Sequence, residues 1–211
     1  PNKGPITQYL DKLSPASQII GACNTVVNDN GVLTGTITDG VGAMQALKDE
    51  GVEYVGKKMV VIGAGGAATA IQVQAALDGV RELTIFNRDD EFFAHGEETV
   101  KKLRERTDCV VNIYRLEDHA KLKEELESAD ILIDSSSCGM KPLEDVVALP
   151  DKSYLRPDLV VMDTVYAPRQ TKLMRWCDEV GCKNFNGLGM MLYQGAAAFK
   201  LWTGKEMPVD F

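Results

Sequence analysis

The sequence predicts an α/β fold, built as a doubly wound parallel sheet, with an incomplete second domain before it. Short apolar segments alternate with helical patterns along most of the 211 residues, which is typical of parallel strands joined by helices. The first of these apolar segments runs into a turn rich in glycine and then into a helix rich in alanine. The part of the chain before this segment contains hairpin and helix signals but no obvious sheet of its own.

The N-terminal elements are predicted from turn residues and apolar patterns. A helix start signal lies at residues 11–17, and residues 19–27 predict a strand that a glycine interrupts. Residues 28–31, Asn-Asp-Asn-Gly, are typical of a hairpin turn, and a second strand is predicted over residues 32–36. A connecting helix then follows and ends at Gly51.

Six strands with interleaved helices are predicted for the rest of the chain. The strands are 59–62, 83–86, 109–114, 131–133, 159–162 and 183–185. The helices are 67–77, 90–106, 116–126 and 171–180, and a last helix over 190–202 ends at Gly204. This alternation predicts a Rossmann-like sheet, in which a ligand binds at the carboxyl ends of the strands.

The glycine turn after the first of these strands predicts a site for the pyrophosphate of a dinucleotide. Gly63 allows a tight turn, and Gly65 and Gly66 let the backbone approach the phosphates with no Cβ in the way. The helix that starts here offers free N–H groups and the positive end of its dipole. The spacing differs from the usual G-x-G-x-x-G pattern, and the alternative is a tight strand–helix turn that binds nothing.

The residues that follow the second strand are candidates for binding the ribose. Arg88 could meet a 2′-phosphate, whereas Asp89 or Asp90 could bind the hydroxyls of an unphosphorylated ribose. The alternative is that an aspartate here caps the next helix. Residues 135–140 follow the fourth strand and are placed to run along the cofactor, and residues 163–168 after the fifth strand are a second candidate loop or a plain turn.

The composition favours small-molecule partners. The net charge of −8 and the pI near 4.9 argue against binding to nucleic acid or to an acidic membrane, which needs a basic surface. Five scattered cysteines form no C-x-x-C pair and predict reduced thiols in a cytoplasm. The only histidines, His95 and His119, lie in polar surroundings, so no metal site is predicted.

A series of short motifs runs through the whole chain. They are Pro1-Asn2-Lys3, Gly21-Ala22-Cys23-Asn24-Thr25-Val26, Thr38-Asp39-Gly40-x-Gly42, Gly63-Ala64-Gly65-Gly66-Ala67, Asn87-Arg88, Gly139-Met140, Val165-Tyr166-x-Pro168 and Gly187-x-Gly189-Met190-x-x-x-Gln194-Gly195. In order and spacing this series resembles the motifs of the shikimate dehydrogenase family. Residues 87–93 and 139–143 resemble in particular its quinate/shikimate dehydrogenase branch, whose members use NAD as well as NADP.

The resemblance implies an oxidoreductase with a role for each matching position. Lys3 and Asp39 are the implied catalytic residues, and together with Asn24 and Gln194 they are the implied substrate-binding residues. The implied cofactor-binding residues are Gly63, Ala64, Gly65, Gly66, Ala67, Asn87, Arg88, Asp89, Asp90, Thr164, Val165, Tyr166, Ala167, Gly187 and Met190. The implied cofactor is NADP or NAD, the substrate is shikimate or 3-dehydroshikimate, with quinate as a further candidate, and a homodimer is a candidate assembly.

The resemblance also divides the chain. Residues 1–39 correspond to a remnant of a substrate-binding domain, 40–56 to a connecting helix, 57–187 to an NAD(P)-binding domain, and 188–211 to a helix that returns to the substrate domain. In the family, residues that bind the substrate carboxylate precede the lysine motif, which stands at the start of this sequence. We therefore expect an N-terminally truncated chain that binds nucleotide and turns over poorly or not at all. The alternative is a non-catalytic, nucleotide-binding regulatory module of the same fold.

Overall fold

The structure, a computed structural model, describes residues 2–209. Pro1, Asp210 and Phe211, which belong to the predicted segments 1–39 and 188–211, lie outside the described residues. Within 2–209, the strands form one sheet of three strands and one of six.

The N-terminal residues form a small sheet of their own, contrary to the expectation from the sequence. Strand β1 (Lys12–Leu13) lies parallel to β3 (Val32–Thr36), and β2 (Thr25–Asp29) pairs with β3 in the antiparallel direction. The hairpin between β2 and β3 turns at Asn30 (φ 51°) and Gly31 (φ 93°), as predicted. The two residues of β1 are too few to show an alternating pattern, which is why the sequence gives no signal for it.

The strand predicted over residues 19–27 is wrong in its first half. Residues Pro15–Ile20 form helix α1, in which the side chain of Ser14 accepts a hydrogen bond from a first-turn N–H at 3.2 Å. Gly21 ends the helix in the left-handed conformation, with φ of 73°. These two caps outweigh the β-propensity of the isoleucines between them.

The six predicted strands are all present and form one parallel sheet. They are β4 (Lys58–Ile62), β5 (Glu82–Asn87), β6 (Val110–Arg115), β7 (Ile131–Asp134), β8 (Val160–Asp163) and β9 (Asn184–Phe185). Their order across the sheet is β6-β5-β4-β7-β8-β9, and every neighbouring pair is parallel. The chain therefore winds outwards from β4 to β6 and then returns to the other side of β4, which places a topological switch point between β4 and β7.

Helices cover both faces of this sheet, as the sequence predicts. They are α3 (Gly66–Leu77), α4 (Glu91–Arg106), α5 (His119–Glu127) and α6 (Lys172–Val180). Helix α2 (Asp39–Asp49) packs on α3 and on α7 (Leu188–Thr203), and 3-10 turns lie at Pro5–Tyr9 and Lys152–Tyr154. Apolar side chains of α3 and α4 are buried against one face of the sheet, and those of α5 and α6 against the other. Helix α5 begins three residues later than predicted, because Asp118 caps it by accepting the N–H of Lys121 at 3.0 Å.

Helix α7 joins the large sheet to the N-terminal elements. It packs closely along α2, and Gly42 permits this contact, since a Cβ there would lie 2.5 Å from the carbonyl oxygen of Met190. Near the other end of α7, Trp202 donates from Nε1 to the carbonyl oxygen of Val26 in β2, at 3.0 Å. The helix thus fixes the small sheet relative to the carboxyl edge of the large one.

Candidate active site

A cavity of about 310 Å³ opens at the carboxyl edge of the large sheet, at the switch point. It is lined by Ile62, Gly63, Ala64, Gly65, Gly66, Ala67, Asn87, Arg88, Asp90, Phe92, Leu116, Ser135, Ser136, Ser137, Cys138, Met140 and Ala148. The glycine turn, the end of β5 with two of the residues that follow it, and the serine-rich loop of residues 135–138 therefore meet in one place. This is where an open α/β sheet binds its ligand.

The geometry of the glycine turn fits a pyrophosphate. Gly63 has φ of 113°, a conformation that residues with a side chain rarely adopt, and its N–H donates to the carbonyl oxygen of Phe86 at 2.7 Å. A Cβ added at Gly65 or Gly66 would meet open space, so the backbone is accessible there. No side chain caps the start of α3, which leaves its first N–H groups and its dipole to an anion.

The three charged residues after β5 have different environments. Asp90 caps α4 by accepting the N–H of Phe92 at 3.0 Å, and it also accepts a hydrogen bond from Asn87 Nδ2 at 2.8 Å. Asp89 lies outside the cavity lining and pairs with Arg115, with 2.8 Å between Oδ2 and Nη1. Arg88 lines the cavity with an exposed side chain, and its Nη2 lies 3.5 Å from the Asp90 carboxylate.

The predicted cofactor residues of the fifth strand and of α7 lie beside the cavity rather than in its wall. Thr164 donates from Oγ1 to Ser135 Oγ at 3.4 Å, and Gly187 donates its N–H to the carbonyl oxygen of Val165 at 3.1 Å. Val165 is buried, and Tyr166 and Ala167 are exposed on the loop after β8. Met190 is buried against α2. Of these residues, Thr164 contacts the serine-rich loop that lines the cavity.

The cavity wall also contains Ile62, Phe92, Leu116 and Ala148, none of which was predicted as a site residue. Leu116 carried a usable sequence signal, because it directly follows the third strand of the sheet. In the structure, its N–H donates to the carbonyl oxygen of Asn87 at 2.9 Å. Ala148 lies in an irregular segment, and nothing in its sequence neighbourhood points to a ligand.

The four predicted substrate and catalytic residues form one polar cluster. Lys3 Nζ lies 2.5 Å from Asp39 Oδ2, and Asn24 Nδ2 donates to Asp39 Oδ1 at 3.0 Å. Thr38, at the start of α2, donates its backbone N–H to Asn24 Oδ1 at 3.0 Å, and its Oγ1 lies 3.5 Å from Gln194 Oε1. Thr38 was not predicted as a site residue, although it stands directly before Asp39 in a quoted motif.

Helix α7 sets the separation between this cluster and the cavity edge. Gly187, which precedes the helix, packs against the backbone of Thr164, and Gln194 reaches the polar cluster two turns later. Seven residues of helix correspond to about 10 Å along its axis. Helix α7 therefore connects the loop after β8 to the polar cluster.

The described residues carry no sign of a membrane span or a metal centre. None of the helices within residues 2–209 is long and apolar enough to cross a bilayer. Over the same residues, no group of three or more histidine, cysteine or acidic side chains is arranged to hold a metal ion. The five cysteines are free thiols, and Cys138 is the one that is not buried.

Two family models match the chain. The model described as Shikimate / quinate 5-dehydrogenase matches residues 45–159, and the model described as Shikimate 5'-dehydrogenase C-terminal domain matches residues 187–211. The first of these covers more than half of the 211 residues.

Known proteins resemble the chain over its whole length. A shikimate dehydrogenase (NADP(+)) from Listeria monocytogenes is 56% identical over 211 residues, which are 100% of this chain and 72% of that protein. A crystal structure of shikimate 5-dehydrogenase from Listeria monocytogenes in complex with shikimate and NAD has a TM-score of 0.98, with 56% identity over 100% of this chain and 73% of that one. Quinate dehydrogenase from Corynebacterium glutamicum in complex with NAD has a TM-score of 0.84, with 27% identity over 98% of this chain and 71% of that one. The chain belongs to the shikimate dehydrogenase family.

Proposed function

We propose that this protein is a nicotinamide-dependent oxidoreductase that interconverts shikimate and 3-dehydroshikimate, with quinate as a second substrate. The observation that carries the proposal is the 2.5 Å contact between Lys3 and Asp39, which joins an amine and a carboxylate 36 residues apart in sequence. The matched family model names shikimate and quinate dehydrogenases, and the Listeria monocytogenes crystal structure contains shikimate and NAD. Both support the same substrate class.

Lys3 and Asp39 are the proposed catalytic pair at the reacting hydroxyl. The bound nicotinamide supplies the hydride chemistry at the carbon that carries this hydroxyl. The Lys3 side chain is 54% exposed, so a substrate can reach its Nζ, and the largely buried Asp39 carboxylate orients it. In the direction of reduction, Lys3 donates a proton to the developing alkoxide, and in the direction of oxidation it takes that proton back. Asn24 and Gln194 are placed to hydrogen-bond the other hydroxyl groups.

The proposed cofactors are NADP and NAD. Arg88 supports a 2′-phosphate because its guanidinium is exposed in the cavity. The carboxylate of Asp89, which would repel that phosphate, is paired with Arg115 instead, and Asp90 is engaged as a helix cap. The relatives agree with a site for both dinucleotides, since one is named for NADP(+) and its crystallised counterpart contains NAD.

Exchange of Lys3 tests the catalytic assignment. Lys3→Ala is expected to lower kcat by about 10²- to 10⁴-fold and to leave KM for shikimate within a few-fold, because proton transfer is lost in the transition state. Lys12→Ala, which removes another exposed lysine of the N-terminal region, is the matched control and should leave both constants unchanged. A rise in KM at unchanged kcat would demote Lys3 to substrate binding.

A four-way assay tests substrate and cofactor together. Nicotinamide reduction is followed with shikimate and with quinate, each with NAD and with NADP. Because this chain spans 72% of the length of its Listeria monocytogenes relative, turnover is measured both for these 211 residues and for the full-length gene product. We expect the 211 residues to bind nucleotide and to turn over poorly. Nucleotide binding with no turnover by the full-length product would favour the non-catalytic regulatory module instead.

A further inference from the structure

Two buried aspartates lie at the carboxyl edge of the sheet, beneath the loops that border the cavity. Asp134 ends β7 and Asp163 ends β8, and the two are direct register partners on these neighbouring strands. Register partners in a sheet point to the same face, and neighbouring strands lie only about 4.8 Å apart. Each aspartate is 2% exposed. The two carboxyl groups are therefore close neighbours that are both shielded from water.

Each carboxyl group holds the start of one loop. Asp134 Oδ1 accepts the N–H of Ser136 at 2.9 Å, and Ser136 Oγ in turn accepts the N–H of Cys138 at 3.2 Å. Asp163 Oδ1 accepts the N–H of Val165 at 2.9 Å, and its Oδ2 accepts the hydroxyl of Thr171, the cap of α6, at 2.6 Å. The loop that Asp134 holds forms part of the cavity wall.

No basic side chain within residues 2–209 donates a hydrogen bond or forms an ion pair with either carboxyl group. The other titratable groups around the pair are two thiols: Cys138 in the loop after β7, which also faces Arg88, and Cys177 of α6, which also faces Asp178. Burial raises the pKa of Cys138 above its usual value of 9, so this thiol stays neutral at physiological pH.

The surroundings of the pair favour a single negative charge on it. Burial, with a smaller contribution from the charge of Asp163, raises the pKa of Asp134 to about 7 and outweighs the hydrogen bonds from Ser136, which favour the ionised form. Burial also raises the pKa of Asp163, but the hydrogen bonds from Thr171 and Val165 oppose this effect and stabilise the Asp163 carboxylate. The proton shared by the pair therefore resides on Asp134.

We propose that Asp134 is a positioning residue for dinucleotide binding, which holds loop 135–139 against the cavity while it is protonated and releases it on ionising beside Asp163. The inference rests on the proposed function, because it assigns this cavity to a dinucleotide. A neutral Asp134 still accepts the N–H of Ser136 through its carbonyl oxygen. Its ionised form is a buried charge next to Asp163, and movement of the loop away from the sheet relieves this cost because it lets water reach the carboxylate.

The consequence is a nucleotide affinity that decreases as the pH rises. The form of Asp134 that holds the loop predominates below its pKa of about 7 and is lost above it. If only this form binds, the affinity decreases about tenfold for each pH unit well above that value. NAD is the suitable probe, because NADP carries a 2′-phosphate that itself titrates near pH 6.

The test is direct binding of NAD, without substrate, between pH 6 and pH 8.5 for the wild type and Asp134→Asn. Asparagine keeps an oxygen that accepts the N–H of Ser136 and removes the titration. We expect the wild type to bind at least about fivefold more weakly at pH 8.5 than at pH 6. The Asp134→Asn variant should bind NAD as tightly as the wild type at pH 6, and its affinity should not decrease as the pH rises. Asp130→Asn, at the opposite end of β7, is the matched control and should retain the wild-type slope.

The outcomes separate the inference from the proposed function. The role of Asp134 is overturned if the wild-type affinity for NAD does not change with pH, or if Asp134→Asn keeps the wild-type pH dependence. Neither result contradicts the proposed binding of NAD. No NAD binding by any form at any pH overturns the proposed function and this inference with it. Circular dichroism of each variant at pH 6 verifies that the compared proteins are folded.

Discussion

Glu125 is predicted to be a main determinant of stability, although it is remote from the cavity. It lies at the amino edge of the large sheet, where Lys58 Nζ is 2.7 Å from Glu125 Oε2 and 2.9 Å from Glu82 Oε1. Lys121 Nζ lies 2.8 Å from Glu125 Oε1, and Thr84 donates its hydroxyl to Glu125 Oε2 at 2.9 Å. The side chains of Glu125 and Lys58 are only 8% and 9% exposed. Their charges are therefore poorly screened by water.

Glu125→Gln is expected to lower the free energy of unfolding by about 3 kcal/mol. Removing one partner of a buried ion pair costs about 3–5 kcal/mol, and the lower end applies because Lys58 retains Glu82. Burial by itself raises the pKa of Glu125, but the hydrogen bonds from Lys121, Lys58 and Thr84 outweigh it and lower this pKa from 4.5 to about 2. That difference corresponds to about 3 kcal/mol of stability at neutral pH.

The sign of the pH dependence follows from the lowered pKa. Glu125 stabilises the folded chain fully above its unfolded pKa of 4.5, and this contribution is lost as the pH falls towards about 2. Glu125→Gln should therefore lower the unfolding temperature at pH 7 by about 6–12 °C, and the difference from the wild type should narrow below pH 4.5. Thermal unfolding followed by circular dichroism measures both effects.

A matched control lies one residue away in the same helix. Glu124 also pairs with Lys121, but its side chain is 68% exposed, so Glu124→Gln should shift the unfolding temperature little. The NAD dissociation constant should be the same in both variants, because these residues lie at the edge opposite the cavity. The assignment would be refuted if Glu125→Gln lowered the free energy of unfolding by less than about 1 kcal/mol, or if the decrease at pH 3 were as large as at pH 7.

Three further predictions concern the cavity and its border. Bound NADP should slow alkylation of Cys138 by a maleimide, since this thiol lines the cavity; an unchanged rate would place the nucleotide elsewhere. Gly187→Ala, directly before α7, should destabilise the chain by about 1–3 kcal/mol in thermal unfolding, because the new Cβ would overlap the Thr164 carbonyl. Gly195→Ala, inside α7, should not destabilise it, because a Cβ there would meet open space. Asp89→Asn should leave the affinity for NADP relative to NAD unchanged in direct titrations, because Asp89 lies outside the cavity lining and its charge is paired with Arg115; a several-fold change in this ratio would contradict this.

Most of the large sheet was predictable because its signals are local. Each buried strand appears as a short apolar run, α4, α5 and α6 appear as amphipathic patterns with a cap at their start, and α3 appears as an alanine-rich run after the glycines. The glycine turn was predictable for the same reason, since its conformation depends on residues that are adjacent in sequence. Local signals failed where two of them competed, as in residues 15–20, where end caps favoured a helix and isoleucines favoured a strand.

The predicted site residues differ in how far the sequence could place them. Lys3, Asn24 and Asp39 were assigned through the family resemblance, because each alone is an ordinary polar residue of a loop or strand end. Their hydrogen bonds join residues that are 15 and 36 positions apart, and Gln194 joins them through the packing of α2 against α7; no local pattern describes such contacts. Of the charged residues after β5, Asp89 is turned away from the cavity by its pairing with Arg115, a residue of another strand.

By itself, the sequence determined most elements of this protein: the strands and helices of the large sheet, the glycine turn and the motifs that mark its family. These depend on backbone conformation and on periodicity over a few residues. Only the tertiary structure decided which distant residues meet, because strand order and register arise from packing of the whole chain. The pairing of Asp134 with Asp163 is of this second kind: it exists because β7 lies beside β8 in register, and it places two carboxyl groups in a space that water does not reach.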